Sequence, residues 1–224
     1  MALKLIIGNK NYSSWSFRPW IGLKIAGIDF HEVLIPLYEP GSAEEIRKYS
    51  PGGKVPILID GDTAVWESLS ILEYLAEKFP KAGFWPHDAR ARALARSVAS
   101  EMHGGFMAVR NHCPMNMARK VIKRELTPAV EANVRRIDTL WTDCRNRYGK
   151  DGPFLFGRFG AADAMYAPVV SRFHTYAVAV SATSRAYMDA VMALPAWHEW
   201  YAEGVKEKWV LPQDEVDWPT IVRA

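Results

Sequence analysis

The feature that most constrains this chain is a change of texture at Pro80. Before it, short β-rich runs alternate with helical patterns; after it, no stretch alternates apolar and polar residues with period two. Such an order builds one mixed α/β unit followed by an all-helical one. The 224 residues are enough for two compact units that each bury a core.

Within the first eighty residues, positions 3–7 read as a strand closed by Gly8. Positions 15–26 then carry Phe17, Trp20, Ile21 and Ile25 at helical spacing before Gly27. Positions 31–37 hold the next apolar run, and Ser42 followed by Glu44 and Glu45 reads as a capped short helix. Two short strands, 55–59 and 63–66, flank Asp60-Gly61-Asp62, a hairpin signal. A helix at 68–79 follows, with Leu69, Leu72, Leu75 and Ala76 on one face and Ser68 as its N-cap. The order β-α-β-α-β-β-α is that of a thioredoxin-like unit. The expected fold class is therefore an α/β thioredoxin-like domain over residues 1–80, a turn-rich linker at 81–88, and an all-α helical domain over 89–224. Helices are expected at 89–110, from Pro128 after a Thr127 N-cap to Tyr148 with Gly149 as C-cap, and at 161–180, 184–193 and 196–206, before an irregular tail from 211.

Charge sharpens the division. Lys and Arg total 28 against 25 Asp and Glu, but the first eighty residues hold 8 basic and 10 acidic side chains and the remainder 20 and 15. We assign this imbalance to solvated helix faces, including Arg90, Arg92, Arg96, Arg119, Lys120, Lys123 and Arg124. Without interleaved aromatics or a recognition motif they do not point to nucleic acid. Cys113 and Cys144 form no CxxC and have no His at zinc spacing, a reduced and metal-free pattern. The apolar run at 3–7 is too short for a signal peptide, and nowhere do eighteen uncharged apolar residues stand together. The expectation is a soluble cytoplasmic protein with no membrane partner.

Three places offer chemistry. Tyr12-Ser13-Ser14-Trp15-Ser16 joins the first strand to the first helix, where hydroxyls and free N–H groups converge as they would for an anion. One Ser suffices as a helix cap, and Ser14 is the expected one, leaving Ser13 free. Lys54-Val55-Pro56 opens a strand at which Pro cannot donate to a ladder, so an edge, an entry position or a cis bond is required. If cis, the turn presents the Val55 backbone to an extended peptide. Glu67-Ser68, where a hairpin strand enters a helix, offers a hydroxyl, N–H groups and a carboxylate, the set that holds an amino-acid head group.

With these motifs in that order, the chain resembles the glutathione S-transferase family over nearly its whole length. Residues 12–18 look like the serine motif of zeta-type and related bacterial members, Lys54-Val55-Pro56 like the family's cis-proline turn, and residues 67–75 like its glutathione-binding helix start. Gly160-Ala161-Ala162-Asp163 resembles the buried helix-start motif of the second domain, with Gly160 where the family usually has Ser or Thr. The resemblance implies that Ser13 faces the glutathione sulfur, with Tyr12 and Ser14 as alternatives. It further implies that Val55, at Pro56, pairs with the cysteinyl backbone, that Glu67 and Ser68 hold the γ-glutamyl group, and that Lys54 reaches the glycyl end. A free thiol with pKa ~8.5 is about 3% thiolate at pH 7, and lowering it by roughly two units is worth about 2.7 kcal/mol.

The implied activity is a cytoplasmic, homodimeric, metal-free transferase of the detoxification type that uses glutathione as co-substrate and adds it to a small, largely apolar electrophile. The alternatives are a glutathione-dependent isomerase or dehalogenase resembling maleylacetoacetate isomerase, and a non-catalytic binding module of the same fold. Zeta-type isomerases carry Cys where this chain has Trp15, which sets it apart from them. For the electrophile, the first helix of the second domain offers His103, Phe106, Met107 and Arg110, beside Trp15 from the first domain, as a mixed apolar and cationic wall. Core packing is the expected role of Met102 and Met107, with the wall as the other reading of Met107, while for His103 and Phe106 packing of the helix against the first domain stands equally beside the wall. Trp197 and Trp200 are expected to pack a helix face against the core.

Overall fold

The computed structural model describes residues 2–224. The first unit runs β1 (Leu3–Ile7), α1 (Ser14–Ile25), β2 (Phe30–Leu34), α2 (Ser42–Arg47), β3 (Ile57–Asp60), β4 (Thr63–Trp66) and α3 (Ser68–Lys78). The sheet order is β2-β1-β3-β4, with β1 parallel to β2 and antiparallel to β3, and a β3-β4 hairpin closing the edge. Alternation along β1 divides the core. Leu3, Leu5 and Ile7 join the large cluster with Phe17, Ile21 and Leu72, while Ile6 points the other way to Ile35, Ile46 and Ile57 beneath α2.

After one turn at Pro80–Ala82 the chain is helical: α4 (Ala89–Gly104), α5 (Met107–His112), α6 (Pro128–Tyr148), α7 (Ala161–Thr175), α8 (Ala182–Met192) and α9 (Pro195–Gly204). Fourteen of the fifteen residues of α7 are buried, and this helix packs against both α1 and α4, so it joins the two units. Trp197 and Trp200 pack on Phe17, and Trp200 also on Trp20, as their spacing predicts. Asp163 accepts from the N–H groups of Gly160 (2.9 Å) and Leu155 (3.0 Å), a structural cap that does not need a hydroxyl at position 160.

Several local expectations are corrected. The helix foreseen over 89–110 is two helices: Gly105 is extended, and a Cβ there would lie 2.7 Å from the Glu101 carbonyl oxygen, so only glycine lets the chain leave α4 at this point. Phe106 then takes φ 62° before α5 begins. The helix foreseen to 180 stops at Thr175, with Ala177 at φ 49°. The caps move by one residue. Ser13, not Ser14, is the N-cap of α1; Gly41, not Ser42, is the N-cap of α2, with the Ser42 hydroxyl turned to the Pro36 carbonyl; and Glu67, not Ser68, holds the cap position of α3. Arg119 is buried and paired with Asp217 rather than solvated. Cys113 and Cys144 are free and buried, and burial raises their thiols to about 11 and about 12.

The tail is not loose. Glu207 accepts from the backbone N–H groups of Lys10 (2.7 Å) and Asn11 (3.0 Å), the Tyr12 phenol donates to Glu215 (2.6 Å), and the Lys120 and Ala224 N–H groups donate to the Val222 and Ala118 carbonyls. Among the described residues no helix is long and apolar enough to cross a membrane.

Candidate functional site

The β1-α1 corner folds tightly because its own side chains satisfy its backbone. The Ser13 hydroxyl accepts from the Ser16 N–H (3.4 Å) and donates to the Ser16 hydroxyl (2.8 Å), which in turn accepts from the Gly8 N–H (3.1 Å). Ser13 thus stands at the positive end of α1, where the helix dipole favours an anion. The Val55-Pro56 bond is cis, and β3 begins just after it, so a Pro without an N–H costs the ladder nothing.

Ser13, Ser14, Lys54 and Val55 line one cavity of about 600 Å³, closed on its second-domain side by Arg172, Leu211 and Asp214. A neighbouring cavity of about 340 Å³ is lined by Lys54, Val55, Pro56, Trp66 and Glu67, and Trp15 borders both. The sequence-predicted residues of the first domain are therefore brought together, with two qualifications. Ser68 is fully buried and its hydroxyl points to the Met165 sulfur (3.8 Å), so at this position only the open first turn of α3 offers N–H groups. Glu67 holds φ 67°, a conformation disfavoured for Glu, and its carboxylate stands 3.5 Å from the His103 ring.

Tyr12 has a different occupation. Its phenol is buried and donates to Glu215, and burial reinforced by that carboxylate pushes its ionisation far above the usual range. A phenol so held cannot supply its proton to a thiolate without breaking the tail anchor.

Beside Trp15 and Ser14 lie three guanidinium groups that have no bonded carboxylate among the described residues. Arg18 is fully buried, donates from Nε to the Met165 carbonyl (3.1 Å), and lies 4.1 Å from the Trp15 ring centroid; its Nη1 and Nη2 have no hydrogen-bond partner among the described residues. Arg110 stands 4.7 Å from the same ring and spends Nε and Nη2 on the Gly105 and Met102 carbonyls, bracing the α4-α5 break rather than facing a ligand. Arg172 donates to the Ser14 hydroxyl (3.2 Å) and to the carbonyls of Arg110 (3.0 Å) and Cys113 (2.6 Å). Burial lowers Arg110 and Arg172 to about 10, with Arg110 also repelling Arg172; both stay cationic at neutral pH. His103 packs edge-on against Trp15, and burial, with Arg18 next, lowers its pKa.

The foreseen electrophile wall is thus partly replaced. Of the foreseen wall only Trp15 lines the two cavities; His103, Phe106, Met107 and Arg110 line neither, with Phe106 packed in the core and Met107 57% exposed. Arg172, Leu211 and Asp214, unremarked in the sequence, take their place. A signal existed for Arg172: it is a charged residue inside an otherwise apolar helical run, Val169-Val170-Ser171-Arg172-Phe173.

Comparison with known proteins agrees with this architecture. Residues 12–78 match the model of the glutathione S-transferase N-terminal domain and residues 127–203 that of the C-terminal domain. The chain belongs to the glutathione S-transferase family. It is 25% identical to Glutathione S-transferase Z2 of Arabidopsis thaliana over 95% of each chain, and 38% identical to maleylacetoacetate isomerase of Rattus norvegicus over 44% of this chain and 47% of that one. A glutathione transferase homologue from Burkholderia, solved with bound glutathione, superposes with a TM-score of 0.67 at 20% identity, covering 91% of this chain and 98% of the other.

Proposed function

We propose that this chain is a glutathione-dependent enzyme that holds glutathione as the thiolate at Ser13 and adds it to a small electrophile. The observation that carries the proposal is the meeting, in one cavity, of the Ser13 hydroxyl at the N-terminus of α1 with the Lys54-Val55 edge of the cis-proline turn. Val55 offers N–H and C=O to the cysteinyl backbone, Lys54 faces the glycyl carboxylate, and Glu67 with the first turn of α3 faces the γ-glutamyl ammonium and carboxylate. Ser13 turns its proton from Ser16 to the sulfur; the hydroxyl, the helix N-terminus and the nearby charge of Arg172, which donates to the adjacent Ser14, all lower the thiol pKa. No base beside Ser13 is required, because Ser13 donates a hydrogen bond and is not the nucleophile.

The electrophile enters from the Arg172, Leu211 and Asp214 side, so its body is apolar and its edge polar. A homodimer belongs to the same proposal, and light scattering tests it. A second reading has its own support: the similarity to maleylacetoacetate isomerase favours addition followed by expulsion of glutathione. Calorimetric titration with reduced glutathione and S-methylglutathione tests the common step, and saturable binding of both is expected. Mass analysis of turnover products then separates the readings: a conjugate gains the mass of glutathione, an isomer gains nothing, and a dehalogenated product releases halide. Absence of binding at millimolar concentration contradicts both.

A further inference from the structure

Two charged side chains from distant segments face the second-domain side of the cavity, Arg172 from α7 and Asp214 from the tail. All three groups that Arg172 touches are neutral, so its charge acts into the cavity without a bonded counter-ion. Asp214 makes no ion pair or side-chain hydrogen bond among the described residues, yet it is not mobile chain. Its N–H donates to the Leu211 carbonyl (2.9 Å), and the tail is pinned on either side by Glu207 at the Lys10 and Asn11 N–H groups and by Glu215 at Tyr12. A carboxylate held half-buried at a cavity edge, with its oxygens uncommitted and a guanidinium without a bonded counter-ion lining the same space, controls the charge an incoming molecule meets.

We propose that Asp214 is the specificity-determining residue of the electrophile chamber, selecting on the charge of the group attached to the glutathione sulfur. Ionised, it offsets Arg172 and repels a carboxylated group; protonated, it leaves the chamber cationic and admits one. This rests on the glutathione reading above. The charged and titratable groups around it are Arg172 from α7, Glu215 from its own segment and Tyr12 from the β1-α1 corner; Tyr38, Glu39 and Lys54 line the far side. Burial raises the Asp214 carboxyl to about 6, against the pull of Arg172 and with Glu215 adding to the rise, so the selection changes over a mildly acidic range.

The test compares S-methylglutathione with S-carboxymethylglutathione on the full chain at about pH 7.5 and about pH 5.5, where both ligands keep their carboxylates ionised. The readout is the ratio of the two dissociation constants, in which effects common to the glutathione moiety cancel. In the unmodified chain the carboxymethyl ligand is expected to gain about tenfold over the methyl ligand on acidification, the scale of one charge acting across a partly solvated cavity. Asp214→Asn should show the low-pH ratio already at the higher pH, with no further change. A pH-invariant ratio in the unmodified chain overturns the proposal, and that measurement does not depend on how the variant folds. A pH-dependent ratio that survives in Asp214→Asn, checked for a normal melting curve, overturns it as well. Failure of S-methylglutathione to bind overturns the glutathione reading and this proposal together, whereas binding with an invariant ratio overturns only the latter.

Discussion

The two walls of the cavity are made in different ways. On the first-domain side, Lys54, Val55 and Pro56 present a turn just before β3, with Glu67 at the entry to α3 in the adjoining cavity, so the groups they offer are largely backbone fixed by a sheet. On the second-domain side, Arg172, Leu211 and Asp214 come from a helix and a tail, and they offer side chains held by hydrogen bonds to carbonyls or by anchors elsewhere in the tail. A wall of backbone suits a constant ligand such as a peptide main chain, whereas a wall of side chains can change with the molecule it admits. Ser13 stands at the junction, on the first unit but beside Ser14, which receives Arg172 from the second.

If that contrast is right, the largest loss should come at the junction. Ser13→Ala is expected to lower kcat/KM for glutathione addition by about 10²-fold, near 2.7 kcal/mol, the effect of removing one donor to a developing or stabilised anion. Steady-state kinetics check it, and thermal unfolding should show a further loss of about 1 kcal/mol from the missing helix cap. Next, Gly105→Ala attacks the second wall through its support: a Cβ at 2.7 Å from the Glu101 carbonyl must displace the α4-α5 break that Arg110 braces, costing roughly 2 kcal/mol by denaturant titration. Arg172→Met tests whether the side-chain wall reaches the thiol; losing one cation should raise the bound thiol pKa by about one unit, read by ultraviolet titration of the thiolate. Smallest is Tyr12→Phe. It breaks the hydrogen bond to Glu215 and should cost about 1 kcal/mol of stability while leaving the bound thiol pKa in place. A pKa that follows Tyr12 rather than Ser13 would reverse the assignment at the junction.

The same contrast explains what the sequence makes legible. β1, the hairpin and α3 are readable because strand alternation, Asp-Gly and helical spacing are local signals, and the register β3-β4 follows from the turn. The cis-proline turn is readable as a constraint, since Pro56 limits its own neighbourhood. Cap positions slip by one residue at Ser14, Ser42 and Ser68: at α1 neighbouring hydroxyls compete and Ser13 takes the bond, while at α2 and α3 Gly41 and Glu67, both at positive φ, hold the cap position without a side-chain bond. The break at Gly105 is hidden in a run that reads as continuous helix, and its cause, a clash with a carbonyl four residues earlier, is a property of coordinates. Asp214 is out of reach of spacing rules altogether: it lines the same cavity as Ser13 because Glu207 and Glu215 tie an irregular tail to the β1-α1 corner.

The most direct measurement is the pKa of the glutathione thiol bound to the unmodified chain and to Ser13→Ala. The unmodified chain should hold it one to two units below the ~8.5 of a free thiol, and the substitution should return it most of the way. A bound thiol that titrates like free glutathione, or one that stays depressed without the Ser13 hydroxyl, would contradict the role given to this corner.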